Sequence, residues 1–159
     1  MNLPAEFCVA SDIPKSQIIY SPVSGSVSPL SAAPMALMSL GLLGSGVCVQ
    51  MRGHRLVAPC DGQLIDVCQG AKQWRFKASN GLHIMVHLYL EEDTITNKAK
   101  LNYINATRVK QGEEIAYFDL RQFKSTPTAA IIVTNTSASK RIYFCHKQVE
   151  ANDPLLFVS

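Results

Sequence analysis

His87 is the side chain in this sequence best suited to chemistry, because it ends an apolar run shortly before the polar segment 91–94. An imidazole changes its charge near neutral pH, so it can act as a nucleophile or carry a proton. His83 stands four residues earlier, and on a helix that spacing would suit two metal ligands. On a strand the two rings would lie about 13 Å apart, at about 3.3 Å per residue. The residues between them favour a strand, so we expect no metal site.

A β-hairpin is the element expected to position His87. Its two strands, 74–78 and 83–88, are rich in aromatic and β-branched residues. Asn80-Gly81 between them is a strong turn signal, because both positions tolerate positive φ. We therefore expect the imidazole at the C-terminal end of a strand, with its ring edge open to solvent.

The rest of the chain also reads as short strands separated by turns that contain Gly, Pro, Asn or Asp. Such spacing predicts an all-β sandwich or barrel. Short helical turns are predicted at 99–105 and 120–124, and no long amphipathic helix is expected. The further predicted strands are 17–20, 25–27, 46–50, 63–68, 114–119, 129–134, 141–146 and 155–158.

Composition excludes several classes of function. The chain has 159 residues, a formal net charge of +3 and 17% charged residues, and its basic residues form loose pairs without a stripe that would bind nucleic acid. The apolar stretch 32–51 is interrupted by Pro34 and by glycines, which argues against membrane insertion. Five cysteines without a Cys-x-x-Cys pair or a signal peptide predict reduced thiols and a cytoplasmic protein.

We expect an N-terminal tail at 1–16 and a single domain at 17–159.

Two turn motifs repeat, and with others they carry a family resemblance. Ser-Pro-Val-Ser-Gly at 21–25 is echoed by Ala-Pro-Cys-Asp-Gly at 58–62, which indicates two related halves. Leu-Gly-Ser-Gly-Val at 43–47, Val-Lys-Gln-Gly-Glu at 109–113, Phe-Asp-Leu at 118–120 and Ile-Ile-Val-Thr-Asn at 131–135 follow in order. The chain thereby resembles the glucose-type enzyme IIA (EIIA) of the bacterial phosphoenolpyruvate-dependent sugar phosphotransferase system. That resemblance implies an internally duplicated barrel-sandwich hybrid of short antiparallel strands, without a cofactor.

The resemblance also implies a role for His87. This residue falls on the family's phosphoryl-accepting histidine, which receives the group from the carrier protein HPr and passes it to a IIB domain. Lys72 stands where the family has a second histidine, with Gln73 adjacent, and both are candidates for stabilising the phosphoryl charge. Glu91 and Asp93 are candidates for the acidic flank of the site.

A docking surface for these partners, and for regulatory protein targets, is expected to be apolar. Strand alternation places Met85 on the face of His87, whereas the core is the favoured location of Phe76. The candidate docking residues are Met35, Leu37, Met38, Leu40, Phe76 and Met85.

Two other functions remain open. Because the family's second histidine is missing and Tyr89 replaces a usual glycine, the chain could be a degenerate EIIA paralogue that binds regulatory partners with little or no phosphotransfer. A zinc peptidase of the lysostaphin type has a similar architecture, but it needs His-x-x-x-Asp and His-x-His, and this sequence contains neither.

Overall fold

Short β-strands make up most of this fold, as the sequence predicts. The computed structural model describes residues 3–91, 99–102, 107–137 and 139–159. The strands are β1 (Glu6–Phe7), β2 (Gln17–Tyr20), β3 (Gly25–Pro29), β4 (Ser45–Met51), β5 (Arg55–Val57), β6 (Gly62–Cys68), β7 (Gln73–Ala78), β8 (His83–Tyr89), β9 (Ala99–Leu101), β10 (Thr107–Val109), β11 (Glu114–Phe118), β12 (Thr128–Val133), β13 (Ile142–Phe144), β14 (Gln148–Val149) and β15 (Pro154–Val158). Helical structure consists of α1 (Ala36–Ser39) and 3-10 turns at Ala10–Asp12, Leu30–Ala32 and Leu120–Gln122.

The strands form three sheets that do not close into a barrel. The eight-stranded sheet has the order β10-β6-β7-β8-β12-β4-β3-β14, the four-stranded sheet β1-β13-β15-β2, and the three-stranded sheet β5-β11-β9. Among the described strands, every pairing is antiparallel except that of β1 with β13. The predicted all-β class is confirmed.

The echoed turn motifs occupy equivalent places in two halves of the fold. The Tyr20 amide donates to the Pro59 carbonyl at 3.0 Å, and the Val57 amide donates back to the Pro22 carbonyl at 2.8 Å. The pairing of β2 with β15 likewise matches that of β5 with β11. Main-chain pairing therefore confirms the internal duplication.

One predicted helical turn is correct and the other is wrong. The span 120–124 contains the 3-10 turn Leu120–Gln122, where the Asp119 side chain caps the Arg121 amide. In the span 99–105, Ala99–Leu101 is instead strand β9, paired with β11. Residues 103–105 lie outside the described part of the chain. Pairing with a distant strand outweighs a weak local helical preference.

Two apolar clusters hold the sheets together. The larger one lies inside the fold and includes Trp74, Phe76 and Phe118. A smaller one, here called the outer cluster, lies on the opposite face of the eight-stranded sheet. It comprises Leu30, Ala33, Met38, Cys48, Met85, Ala130 and Ile132, with Tyr89 packed against them. Segment 30–42, which includes α1, lies against this second face.

Within the described ranges, no helix is long and apolar enough to span a bilayer.

Candidate functional site

The predicted hairpin is present and is anchored from a neighbouring strand. Gly81 has a φ of 94°, and the Leu82 amide donates to the Asn80 side-chain oxygen at 3.1 Å. Beyond the end of β12, Asn135 accepts from the His83 amide at 2.8 Å and donates to the Gly81 carbonyl at 2.9 Å. These bonds therefore fix the start of β8 beside the end of β12.

His87 lies inside β8, not at its end, and it is only 4% exposed. Its cross-strand neighbours are Gln73 on β7 and Ala130 on β12. The prediction of a ring edge open to solvent is therefore wrong. The strand continues to Tyr89 because Tyr89 pairs with Thr128, so the ring lies well inside the sheet.

Tyr89 packs on the His87 ring and is held there by Met38; these two side chains are called the cover here. The Tyr89 and His87 ring centroids are 4.8 Å apart, at an interplanar angle of 57°. The Tyr89 hydroxyl donates to the sulfur of Met38, which belongs to α1 and is buried. Tyr89 thus links segment 30–42 to the histidine.

This cover leads to a prediction about chemical access. Replacing Tyr89 with alanine should raise the rate at which diethylpyrocarbonate modifies His87 severalfold, because the ring that packs against it is gone. The rate can be measured by peptide mass mapping. Tyr117→Ala is the matched control, since Tyr117 packs 5.7 Å from His54 and not on His87. An unchanged rate at His87 in the Tyr89 variant would show that other groups seal the ring.

Gln73 is the polar neighbour of the buried ring. Its Oε1 lies 3.2 Å from His87 Nδ1. Lys72, which the sequence places at the family's second histidine, precedes β7, and its carbonyl accepts from the Leu88 amide at 2.7 Å. The cross-strand place opposite His87 therefore belongs to Gln73, which pairs with it in the register of β7 and β8.

Two residues missed by the sequence analysis contact Gln73. Gln69 Nε2 donates to Gln73 Oε1 at 3.2 Å, and Gln73 Nε2 donates to Cys68 Sγ at 3.5 Å. Cys68 is paired with Gln73 across β6 and β7. A sequence-based prediction of how β6 and β7 pair could have identified them, because that pairing puts Cys68 opposite Gln73 and Gln69 in the turn between them.

The surroundings of His87 favour a neutral ring. Burial lowers the pKa of the imidazole below its ordinary value of 6.5, and the nearby positive charge of Lys72 lowers the pKa further. Burial also raises the pKa of the Tyr89 hydroxyl to about 12, so the cover is uncharged as well. At neutral pH the site therefore contains a neutral imidazole, with one ring N–H, beside a neutral phenol and a neutral amide.

The lowered pKa predicts a pH dependence of stability. Between the ordinary value of 6.5 and the lower pKa in the folded protein, the unfolded state binds the proton more readily. The free energy of unfolding should therefore fall as the pH drops below 6.5, until the folded-state pKa is passed. Urea unfolding as a function of pH measures this. His87→Gln should lack this component, and a wild-type profile that matches the variant would contradict the predicted shift.

The remaining predicted site residues are more scattered. Glu91 is exposed just after β8, and Asp93 lies outside the described residues. Of the apolar candidates, Met35, Leu37 and Leu40 are exposed on or beside α1. The other three, Met38, Met85 and Phe76, are buried. The predicted place of Met38 and Met85 on a docking surface is wrong, because both pack in the outer cluster. Phe76 packs in the larger cluster inside the fold, the location favoured for it by the sequence.

In the described part of the chain, no group of three His, Cys, Asp or Glu side chains lies close enough together to hold a metal ion. His83 and His87 lie on a strand, as the hairpin predicts.

Comparisons with known proteins agree with this architecture. The family model described as phosphoenolpyruvate-dependent sugar phosphotransferase system, EIIA 1, matches residues 17–139. A PTS system glucose-specific EIIA component of Bacillus cereus is 28% identical over 131 residues, which cover 79% of each chain. A PTS system mannose-specific EIIBCA component of Corynebacterium glutamicum is 28% identical over 76% of this chain and 18% of its own. The solved structure of glucose permease IIA from Mycoplasma capricolum superimposes with a TM-score of 0.77, at 18% identity, covering 91% of this chain and 96% of that one.

Proposed function

The chain belongs to the EIIA 1 family of the phosphoenolpyruvate-dependent sugar phosphotransferase system, and from that premise we propose that His87 is the phosphoryl acceptor of a cytoplasmic phosphocarrier. HPr is the proposed donor, and the cysteine of a IIB domain is the proposed acceptor. The name of the Corynebacterium relative, an EIIBCA component, supports the IIB partner. The observation that carries the proposal is an imidazole held on the β7–β8 hairpin, with its Nδ1 3.2 Å from Gln73 Oε1. Burial and the charge of Lys72 lower the pKa of this ring, which favours its neutral form.

The proposed transfer moves a phosphoryl group between two nitrogens. The lone pair on His87 Nε2 attacks the phosphorus of phosphorylated HPr, and the bond from phosphorus to the donor histidine breaks. The bonding pair returns to the donor nitrogen, and Nδ1 of His87 keeps its hydrogen. In the second step a IIB cysteine thiolate attacks the same phosphorus, and the bond to Nε2 breaks. Because such transfer is largely positioning and charge stabilisation, a fixed neutral nucleophile suits it.

Charged neighbours supply the stabilisation in this proposal. The Lys72 ammonium acts on the His87 ring electrostatically, and its positive charge would offset the incoming phosphoryl charge. Glu91 and Asp93 stay proposed as the acidic flank, and they do not offset the phosphoryl charge.

Access to His87 requires the cover to move. At 4% exposure, the ring cannot meet a second protein's phosphorylated side chain while Tyr89 packs on it. The exposed side chains of Met35, Leu37 and Leu40 lie on or next to the helix that carries Met38. We propose them as the docking surface, since a partner that binds there contacts the segment holding the cover in place.

Reconstitution tests the proposal. The protein is incubated with phosphoenolpyruvate, enzyme I and HPr, and intact-mass spectrometry should detect one acid-labile phosphoryl group. Addition of a IIB domain should discharge it. Under conditions that label the Bacillus cereus glucose-specific EIIA component, absence of any label on this protein would contradict the proposal.

The alternative is a regulatory binding module with little or no phosphotransfer. Two observations favour it: the buried ring of His87, and Gln73 at the cross-strand position. An amide cannot exchange protons as a histidine does at neutral pH. This alternative predicts an unlabelled protein that still binds HPr in a calorimetric titration.

A further inference from the structure

The turn between β6 and β7 contains a chain of polar side chains that ends at His87. Gln73 is paired with Cys68 on one side and with His87 on the other, so it connects the turn to the histidine. We propose that Gln73 is a positioning residue that holds His87 in the Nδ1–H tautomer, and that Gln69 and Cys68 hold the Gln73 amide in the orientation this requires. The consequence for transfer rests on the proposed function, whereas the tautomer itself does not.

The hydrogen bonds at the Gln73 amide carry this inference. Its Oε1 lies 3.2 Å from His87 Nδ1 and accepts from Gln69 Nε2 at 3.2 Å. An amide oxygen can only accept, and it has two lone pairs, so both neighbours must be donors. The hydrogen of the neutral ring is therefore on Nδ1, and the lone pair is on Nε2.

The other end of the amide is also occupied. Gln73 Nε2 donates to Cys68 Sγ at 3.5 Å, which is a weak acceptor but lies directly across the strand pair. If the amide were turned over, Nε2 would face His87 and the ring would have to carry its hydrogen on the opposite nitrogen. The orientation of one amide therefore selects the nitrogen that can attack phosphorus.

The backbone of the turn brings Gln69 to this position. Gln69, Gly70 and Ala71 have φ values of 54°, 66° and 67°. Non-glycine residues are uncommon in this left-handed region, and here two flank a glycine. The tight turn reverses the chain, and it thereby brings the Gln69 side chain within hydrogen-bond distance of Gln73, four residues later.

Retention of the Nδ1 hydrogen has a consequence for the phosphorylated state. Bond formation at Nε2 leaves positive charge on the ring, and the Nδ1–H then donates a stronger, charge-assisted hydrogen bond to Gln73. Since the ring is buried and Lys72 disfavours added positive charge, this acceptor supports the charged product as well as the neutral reactant.

Nitrogen NMR on protein carrying isotope-labelled histidine tests the assignment without any phosphoryl donor. Above the ordinary histidine pKa, the His87 ring should show a protonated Nδ1 and an unprotonated Nε2, with the signal identified by its loss in His87→Gln. Gln73→Leu should abolish the preference for Nδ1–H, and Gln73→Glu should restore it and raise the His87 pKa. Gln63→Leu is the matched control, because Gln63 is exposed on β6 and pairs with Lys77.

The outcomes separate the two proposals. An Nε2–H ring in the wild type, or an unchanged tautomer in Gln73→Leu, overturns the positioning role even if the protein is phosphorylated. An Nδ1–H ring in a protein that takes no label supports the positioning role and contradicts only the phosphocarrier. If both hold, Gln73→Leu should slow phosphorylation roughly tenfold or more, with Gln73→Glu recovering part of the rate.

Discussion

Substitution of His87 with glutamine should abolish phosphorylation by HPr, with a loss on the order of a thousandfold or more, as expected for removal of a nucleophile. Glutamine is polar and close to histidine in size, so it can occupy the space beneath Tyr89 and form a hydrogen bond to Gln73 across the strands. It has no ring nitrogen to attack phosphorus. Intact-mass spectrometry after incubation with the donor system measures the loss, and circular dichroism verifies the fold.

His83→Gln is the control for this experiment. It makes the same chemical change on the same strand, four residues away from the site, and it should leave labelling unchanged. Label that persists on His87→Gln would mean that another histidine, His54, His83 or His146, accepts the group.

Trp74→Ala should destabilise the protein by about 3–5 kcal/mol, the usual range for truncating a buried tryptophan. Trp74 is fully buried on β7, next to Gln73, and packs edge-on against Phe118 with ring centroids 5.8 Å apart. It also pairs with Val86, which precedes His87. Since total stability is usually about 5–15 kcal/mol, the site-bearing hairpin would become marginal. Urea unfolding followed by circular dichroism is the appropriate measurement, because Trp74 is the single tryptophan.

Trp74→Phe distinguishes packing from hydrogen bonding. The indole Nε1 is buried without a hydrogen-bond partner among the described atoms. Phenylalanine leaves a smaller cavity and removes this unpaired donor, so we expect a loss of only about 1–2 kcal/mol. A loss equal to that of Trp74→Ala would contradict the view that aromatic volume at this position holds the hairpin.

Local patterns were sufficient for much of the fold. The Asn80-Gly81 signal predicted the hairpin correctly, because Gly81 supplies the positive φ, 94°, that the turn requires. The echoed Pro-x-(Ser/Asp)-Gly turns predicted the duplication, which the reciprocal bonds of Tyr20 and Val57 confirm. Strand β9 was missed because its extended conformation depends on pairing with β11, which lies more than a dozen residues away in sequence.

The candidate site was only partly predictable. Strand alternation correctly put Met85 and His87 on one face of β8, since neighbouring side chains alternate with a period of two. The burial of His87 could not be predicted in this way. It depends on Tyr89 meeting Met38, a residue 51 positions earlier, across the face of the sheet.

The sequence by itself determined the all-β class, the duplicated halves, the hairpin and the family, because each depends on short-range residue patterns repeated in order. Only the tertiary structure decided which side chain lies opposite His87, what lies over it and how its ring is hydrogen-bonded. Those features depend on where each strand starts, which residues pair across neighbouring strands, and which distant segment packs on the sheet. They arise from contacts between residues far apart in the chain, which local alternation does not specify.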